Sequence, residues 1–208
     1  MSVVANYLIT KDSRVSLDYH RPEGERAPET IASLSYVPEE GIWVSMRCYE
    51  EKPRAIYHNP NDPIYTDSCM EAFIDCFPEL HKGYLNIEMN VNGASFCSFG
   101  TNRYCRSYVV DMGIPHPEVT AERGEEAGRP YWQVRCLLGV KLWEALYGRP
   151  FNLNPGHVMR GNFYKCADHA AKPHWSSWAP VPRLDFHDPD SFGLMIIGDY
   201  AMKTYINK

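Results

Sequence analysis

One segment constrains the fold more than any other. In residues 85–92, Leu85, Ile87, Met89 and Val91 alternate without interruption with Asn86, Glu88, Asn90 and Asn92. A period of two belongs to a β-strand and sends successive side chains to opposite faces. A slip of one residue would carry the whole apolar set to the wrong side, so the pattern predicts a sheet with Leu85, Ile87, Met89 and Val91 inside. Residues 42–49 repeat the device, with Ile42, Val44, Met46 and Cys48 set against Trp43, Ser45, Arg47 and Tyr49. Further strands are predicted at 31–37, 69–77, 107–111, 118–121, 131–138, 161–167 and 194–197. One short helix is predicted at 140–147, where Leu142 and Leu146 stand four apart and Gly148 can end it. Composition agrees: aromatic residues make up 13% of the chain, with 16 Pro and 14 Gly, which favours many short strands joined by turns. The expected fold class is all-β, an antiparallel β-sandwich with jelly-roll or immunoglobulin-like connections and one short helix. Residues 53–63 and 113–130 read as loops inside that sandwich, and no internal repeat divides the chain. A single domain over residues 1–208 is expected.

Several function classes fall away. The formal charge is −5 and no basic block exists to displace counterions from phosphates, so a nucleic-acid partner is not expected. No apolar run approaches the ~18–20 residues of a membrane helix, so no membrane partner is expected. Residues 1–10 have neither a basic start nor a small-residue cleavage site, which fits a cytoplasmic protein or a mature domain without its leader. Seven Cys is an odd count without a CxxC pair, so reduced thiols are expected in place of a disulfide framework or zinc ribbon. Cys166, Asp168 and His169, with His174 and His187 downstream, have no recognised zinc spacing and lack a second thiolate, so no metal site is assigned. The signatures GxSxG, HExxH, GxGxxG and the P-loop are absent, and no catalytic residue is assigned.

Two polar features ask for an explanation. Three Asn at alternate strand positions are unusual, since Asn is depleted in strands. The Asn86, Glu88, Asn90 and Asn92 face is either a solvated outer surface or a platform whose amides and carboxylate match paired sugar hydroxyls. On the predicted strand at 69–77, Glu71 lies between Cys69 and Phe73 on an otherwise apolar face, with Asp75 beyond. A carboxylate there needs a partner, either an Arg or a ligand. Trp175 and Trp178 stand three apart, so a strand sends them to opposite faces and at least one into the core. Trp43 and Trp132 sit mid-strand and read as packing.

In order along the chain, Asp67-Ser-Cys-Met-Glu71-Ala-Phe-Ile-Asp75, Gly83-Tyr84, Glu88-Met-Asn90, Arg160-Gly-Asn-Phe-Tyr-Lys-Cys166, His174-Trp-Ser-Ser-Trp178, Phe186-His-Asp-Pro189 and Ser191-Phe-Gly-Leu194 resemble the family-9 carbohydrate-binding modules. The resemblance spans about residues 30–200. It implies a β-sandwich that holds one or two sugar units between two aromatic rings, here Tyr65 and Phe186, with Glu71 accepting from hydroxyls. It also implies a non-catalytic carbohydrate binder of the kind that accompanies a glycoside hydrolase in polysaccharide catabolism. Glu88 falls where well-studied members carry an arginine, and Asn90 matches a polar position on the same strand. The candidate ligand-binding set is thus Tyr65, Glu71, Glu88, Asn90, Trp175 and Phe186. Family members bind structural calcium, but no Asp-x-Asp-x-Asp loop supports a cofactor here. Two alternatives stay open. Glu71, Asp75 and Glu88 could serve a glycoside hydrolase, whose paired carboxylates stand ~5–5.5 or ~6.5–9.5 Å apart. His157 and Met159 could suggest a haem redox domain, although one strand or turn would carry both.

Overall fold

The computed structural model describes residues 5–199; the ends of the expected 1–208 domain, residues 1–4 and 200–208, lie outside the described residues. The strands are β1 (Asn6–Ile9), β2 (Val15–Ser16), β3 (Tyr19–His20), β4 (Thr30–Val37), β5 (Gly41–Cys48), β6 (Cys69–Asp75), β7 (Tyr84–Asn90), β8 (Ser95–Gly100), β9 (Arg106–Tyr108), β10 (Val119–Glu126), β11 (Arg129–Gly139), β12 (Val158–Cys166), β13 (Trp175–Ser177) and β14 (Gly193–Ile197). The larger sheet runs β1-β14-β12-β6-β7-β8-β9. One edge of β12 is shared, the first half pairing with β14 and the last three residues with β13, which carries β3 beyond it. The smaller sheet runs β10-β11-β5-β4-β2. Among the described residues all strand pairs are antiparallel except β1 with β14.

The two sheets pack face to face, as the period-two patterns require. Met70, Ala72 and Ile74 of β6, and Leu85, Ile87 and Met89 of β7, meet Val44 and Met46 of β5 and Trp132 and Val134 of β11 in one core. Val91, just past β7, joins them. The helix α1 (Val140–Tyr147) covers one end of this core with Leu142, Trp143, Leu146 and Tyr147. Gly148 stops it in a left-handed conformation at φ 65°, which a glycine adopts without steric cost. Among the described residues no helix is long and apolar enough to cross a membrane.

Three expectations are corrected. Residues 113–130 are not one loop, because β10 occupies Val119–Glu126 and turns into β11 through Ala127 and Gly128, both at positive φ. Two consecutive residues with φ > 0 are the twist-matched hairpin turn. The strand expected at 107–111 ends at Tyr108, since Val109 turns into the core to start a 3-10 turn (Val109–Met112) that Gly113 closes. Trp43 does not pack inward. It is half-buried on the outer face of the smaller sheet, with the Arg135 guanidinium over its ring, while Trp132 is fully buried.

The larger sheet is buried on both sides at its centre. Asn86, Glu88 and Asn90 are at most 4% exposed, so the solvated-face reading fails for these three. Loops fold back over them, and a second apolar cluster forms there from Ile64, Phe73, Tyr84, Tyr164, Phe186 and Phe192. This covered outer face, not the inter-sheet core, holds the cavity of interest.

Candidate ligand-binding site

A cavity of about 510 Å³ lies over β6, β7 and β12, and Tyr65, Glu71, Glu88, Trp175 and Phe186 all line it. Its floor follows from strand register. Glu71 on β6 stands directly opposite Glu88 on β7 and Tyr164 on β12. Its walls come from loops held to that floor. Tyr65 sits in a 3-10 turn (Ile64–Thr66) and is 46% exposed. Its carbonyl accepts from Asp168 N at 3.4 Å, fixing the turn beside β12. Phe186 stacks on Tyr164 with centroids 4.1 Å apart and planes 13° from parallel, and the Tyr164 hydroxyl donates to the Phe186 carbonyl. Trp175 donates from Nε1 to Asp168 Oδ1 at 2.6 Å, and the backbone of Gly24 approaches its ring so closely that a Cβ there would lie 2.7 Å from Cζ3.

The two floor carboxyls are the electrostatic centre of the site. Glu71 Oε1 accepts from the Cys166 thiol at 3.0 Å. Burial pushes the Glu71 carboxyl up to about 7, with Asp168 adding to the rise and Arg106 opposing it. Glu88 is pushed well above the carboxylate range by burial and by Glu71 across the strand pair. Its Oε1 accepts from Asn86 Nδ2 at 3.0 Å, while Oε2 is buried without a hydrogen-bond partner. Burial thus favours the protonated form of both carboxyls, Glu88 above all, so the floor can donate as well as accept.

Asn90 does not belong to the cavity, which corrects the candidate set. It is fully buried, and its Nδ2 donates to the Tyr57 carbonyl and Asp67 Oδ2 while its Oδ1 accepts from the N–H groups of Asn92 and Ala94. Those four bonds close the β7–β8 turn and tie down the segment before Tyr65. Asn92 likewise donates to the Tyr57 carbonyl. Of the hydrolase alternative, Glu71 and Glu88 face this cavity together but Asp75 does not, and the haem pair lies elsewhere. Asp75 accepts from the Tyr147 hydroxyl and lines a different depression, beside Pro78 and Arg160. Met159 is packed in the inter-sheet core, and the His157 ring is bonded to the Cys76 carbonyl. Cys166, Asp168 and His187 line the cavity, but among the described residues they do not form a metal-ligating group with His174: Asp168 holds Trp175, His174 meets Lys165, and His187 meets Tyr84.

Arg103, Arg106, Asp168 and His187 also line the cavity and were not among the candidates. Arg106 on β9 brings a guanidinium to the cavity, and its Nη1 donates to Asn86 Oδ1 at 3.0 Å and to His187 Nε2 at 3.1 Å. Because guanidinium can only donate, His187 Nε2 accepts and Nδ1 carries the proton, donating to the Tyr84 hydroxyl at 2.7 Å. Burial, then the charges of Arg106 and Arg103, depress His187 to about 3, so the ring stays neutral. Arg103 is exposed at the rim and paired with Asp185 at 3.0 Å. Arg103 and Arg106 flank a short turn in the sequence Arg103-Tyr-Cys-Arg106, a cluster of cations that was the available signal.

The family model described as carbohydrate-binding family 9 matches residues 27–197. None of the curated proteins matches. Among solved structures, a candidate carbohydrate-binding protein from Bacteroides uniformis ATCC 8492 superposes with a TM-score of 0.71 at 22% identity, covering 94% of this chain and 98% of that one. A family-9 carbohydrate-binding module from Caldicellulosiruptor kristjanssonii in complex with cellotriose gives 0.61 at 11% identity, covering 100% and 95%. A family-9 module from the same organism in complex with glucose gives 0.54 at 12%, covering 95% and 97%. At these identities the structural likenesses establish the fold.

Proposed function

The chain belongs to carbohydrate-binding family 9, and from that membership we propose that it holds a sugar ring, without cleaving it, in the cavity above β6, β7 and β12. The observation that carries the reading is the pair of buried carboxyls, Glu71 and Glu88, at the floor of a cavity walled by Tyr65, Trp175 and Phe186. Pyranose faces are apolar C–H surfaces that gain contact area against aromatic rings. Ring hydroxyls both donate and accept, so they suit a floor that offers both. A hydroxyl bonded to the Glu71 carboxylate contributes about 1.5–3 kcal/mol, which sets direction where stacking does not. Solved family-9 structures carry cellotriose and glucose, and those ligands favour glucose-type units here. The test is a glycan array followed by calorimetry on each hit, with an aryl glycoside of the same sugar incubated in parallel. Glu71→Gln should weaken binding roughly 10–100-fold with the fold retained, since about 1.4 kcal/mol is tenfold. No aryl glycoside should turn over. Affinity that survives alanine at both Tyr65 and Phe186 would move the site elsewhere.

A further inference from the structure

Cys69 on β6 and Cys166 on β12 stand directly opposite one another in the antiparallel register. Glu71, two residues along β6, shares their face. One donor atom from each, two Sγ and a carboxylate oxygen, lie within 4.8 Å of one another, and all three residues are buried. Cys69 is nonetheless 97 positions away from Cys166 in sequence, which is why no spacing motif revealed the pair. We propose that Cys69, Cys166 and Glu71 form a zinc site whose fourth coordination position faces the cavity.

The donor set selects the ion. Two thiolates and one carboxylate suit Zn²⁺, whereas calcium and magnesium require oxygen donors throughout. Tetrahedral zinc, with bonds of about 2.3 Å to sulfur and 2.0 Å to oxygen, holds such donors roughly 3.5–3.8 Å apart. The observed donors, within 4.8 Å of one another on two paired strands, must close by no more than about 1.3 Å to reach that spacing. Access is provided as well, because Glu71 and Cys166 both line the cavity. Three protein ligands with an open fourth position is the arrangement in which zinc keeps a water or takes a ligand hydroxyl. Binding would release a proton from each thiol to solvent, with the proton of Glu71 where it carries one; no electrons move. The resulting site, with three anionic ligands on a dication, is net negative, and Arg103 and Arg106 line the same cavity. The metal site does not rest on the sugar-binding reading, although the two share Glu71.

The probe is Co²⁺, titrated anaerobically into the full reduced chain after chelator treatment. One ion per chain should enter, giving thiolate-to-cobalt charge-transfer absorption and strong tetrahedral visible bands, with proton release; Zn²⁺ should bleach them. Cys69→Ser and Cys166→Ser should each remove one of the two sulfur ligands and so weaken the charge-transfer absorption, and the double serine variant should abolish it. Because those thiols are buried, near-ultraviolet circular dichroism must accompany each variant, and the nearly isosteric Glu71→Gln gives a second reading. It should weaken cobalt binding at least about tenfold while leaving the thiolate bands at saturation. Folded wild-type protein that develops no such bands, or bands that persist undiminished in both serine variants, would overturn the site. Sugar titrations on the chelator-treated protein are read separately, so either proposal can fail alone.

Discussion

Replacing Glu50 by Gln should destabilise the fold by about 3–5 kcal/mol even though the two side chains have nearly the same shape. Lys165 points to the inter-sheet side of β12, is fully buried, and places Nζ 3.4 Å from Glu50 Oε2. Nζ also donates to the Cys166 carbonyl at 2.9 Å and meets His174 Nε2 at 2.8 Å, both neutral partners. Glu50 in turn accepts from Ser68 Oγ at 2.8 Å and Trp132 Nε1 at 3.1 Å. An amide in place of this carboxylate would leave an ammonium buried without a counter-charge, which is the costly half of a broken buried pair. For a domain of this size each kcal/mol moves Tm by about 2–4 °C, so the loss should read as roughly 6–20 °C. Lys165→Met should cost a similar amount. The double variant removes both charges of this pair and should recover at least about 2 kcal/mol relative to the sum of the single changes. Acid supplies an independent check. Burial alone would raise the Glu50 carboxyl, but Lys165 and the Ser68 hydroxyl outweigh it and hold it below 4.5. His174 is depressed to about 4 by burial and by Lys165. Both folded values lie below the unfolded ones, so both contributions are complete at neutral pH and are lost on acidification. The loss from His174 begins below its ordinary 6.5, and that from Glu50 below 4.5. Urea unfolding followed by circular dichroism at several pH values measures all of this. A Glu50→Gln protein within about 1 kcal/mol of wild type at pH 7, with an additive double variant, would refute the reasoning.

Arg106→Met should release His187 from its nearest cation and raise its pKa from about 3 toward 6.5, with Arg103, Asp185 and Tyr84 still facing the ring; a proton NMR titration unchanged from wild type would contradict the assignment. Gly24→Ala places a Cβ 2.6 Å from the Pro173 carbonyl and 2.7 Å from the Trp175 ring, so that ring must shift. Sugar affinity should fall about tenfold, with a stability cost of about 1–3 kcal/mol; unchanged affinity in calorimetry would show that Trp175 is not a wall of the site.

Where the sequence was legible and where it was not has a physical explanation. β5 and β7 announced themselves because an inward apolar set alternates with polar or amphipathic residues, and α1 because Leu142 and Leu146 face the core on either side of one turn. β8, Ser95–Gly100, escaped notice since its two faces are both largely buried and its residues are small or aromatic on each. β2, β3 and β13 are two or three residues long, too short to show a period. The polar face of β7 stays open between two readings in the sequence for a different reason. Alternation tells which side chains share a face, not whether loops distant in sequence will cover it. The turn at Tyr65 and the loop at Phe186 do so here, which makes Glu71 and Glu88 interior groups facing a cavity and Asn90 a tie for the backbone. Glu71 was identifiable because a carboxylate between Cys69 and Phe73 is conspicuous on an apolar face. Arg106, Asp168 and His187 were not, since residues near strand ends and in loops follow no period and their convergence depends on the closed fold.

The proposed binding mode sets a sugar ring between Phe186 and the Tyr65 and Trp175 side, above the Glu71–Glu88 floor. A crystal structure of the chain with its calorimetrically identified sugar tests it most directly. Ring carbons are expected within about 4–4.5 Å of the Phe186 ring and of Tyr65 or Trp175. A hydroxyl is expected within about 2.5–3.0 Å of a Glu71 carboxylate oxygen. Sugar bound elsewhere, with this cavity left to water alone, would contradict it.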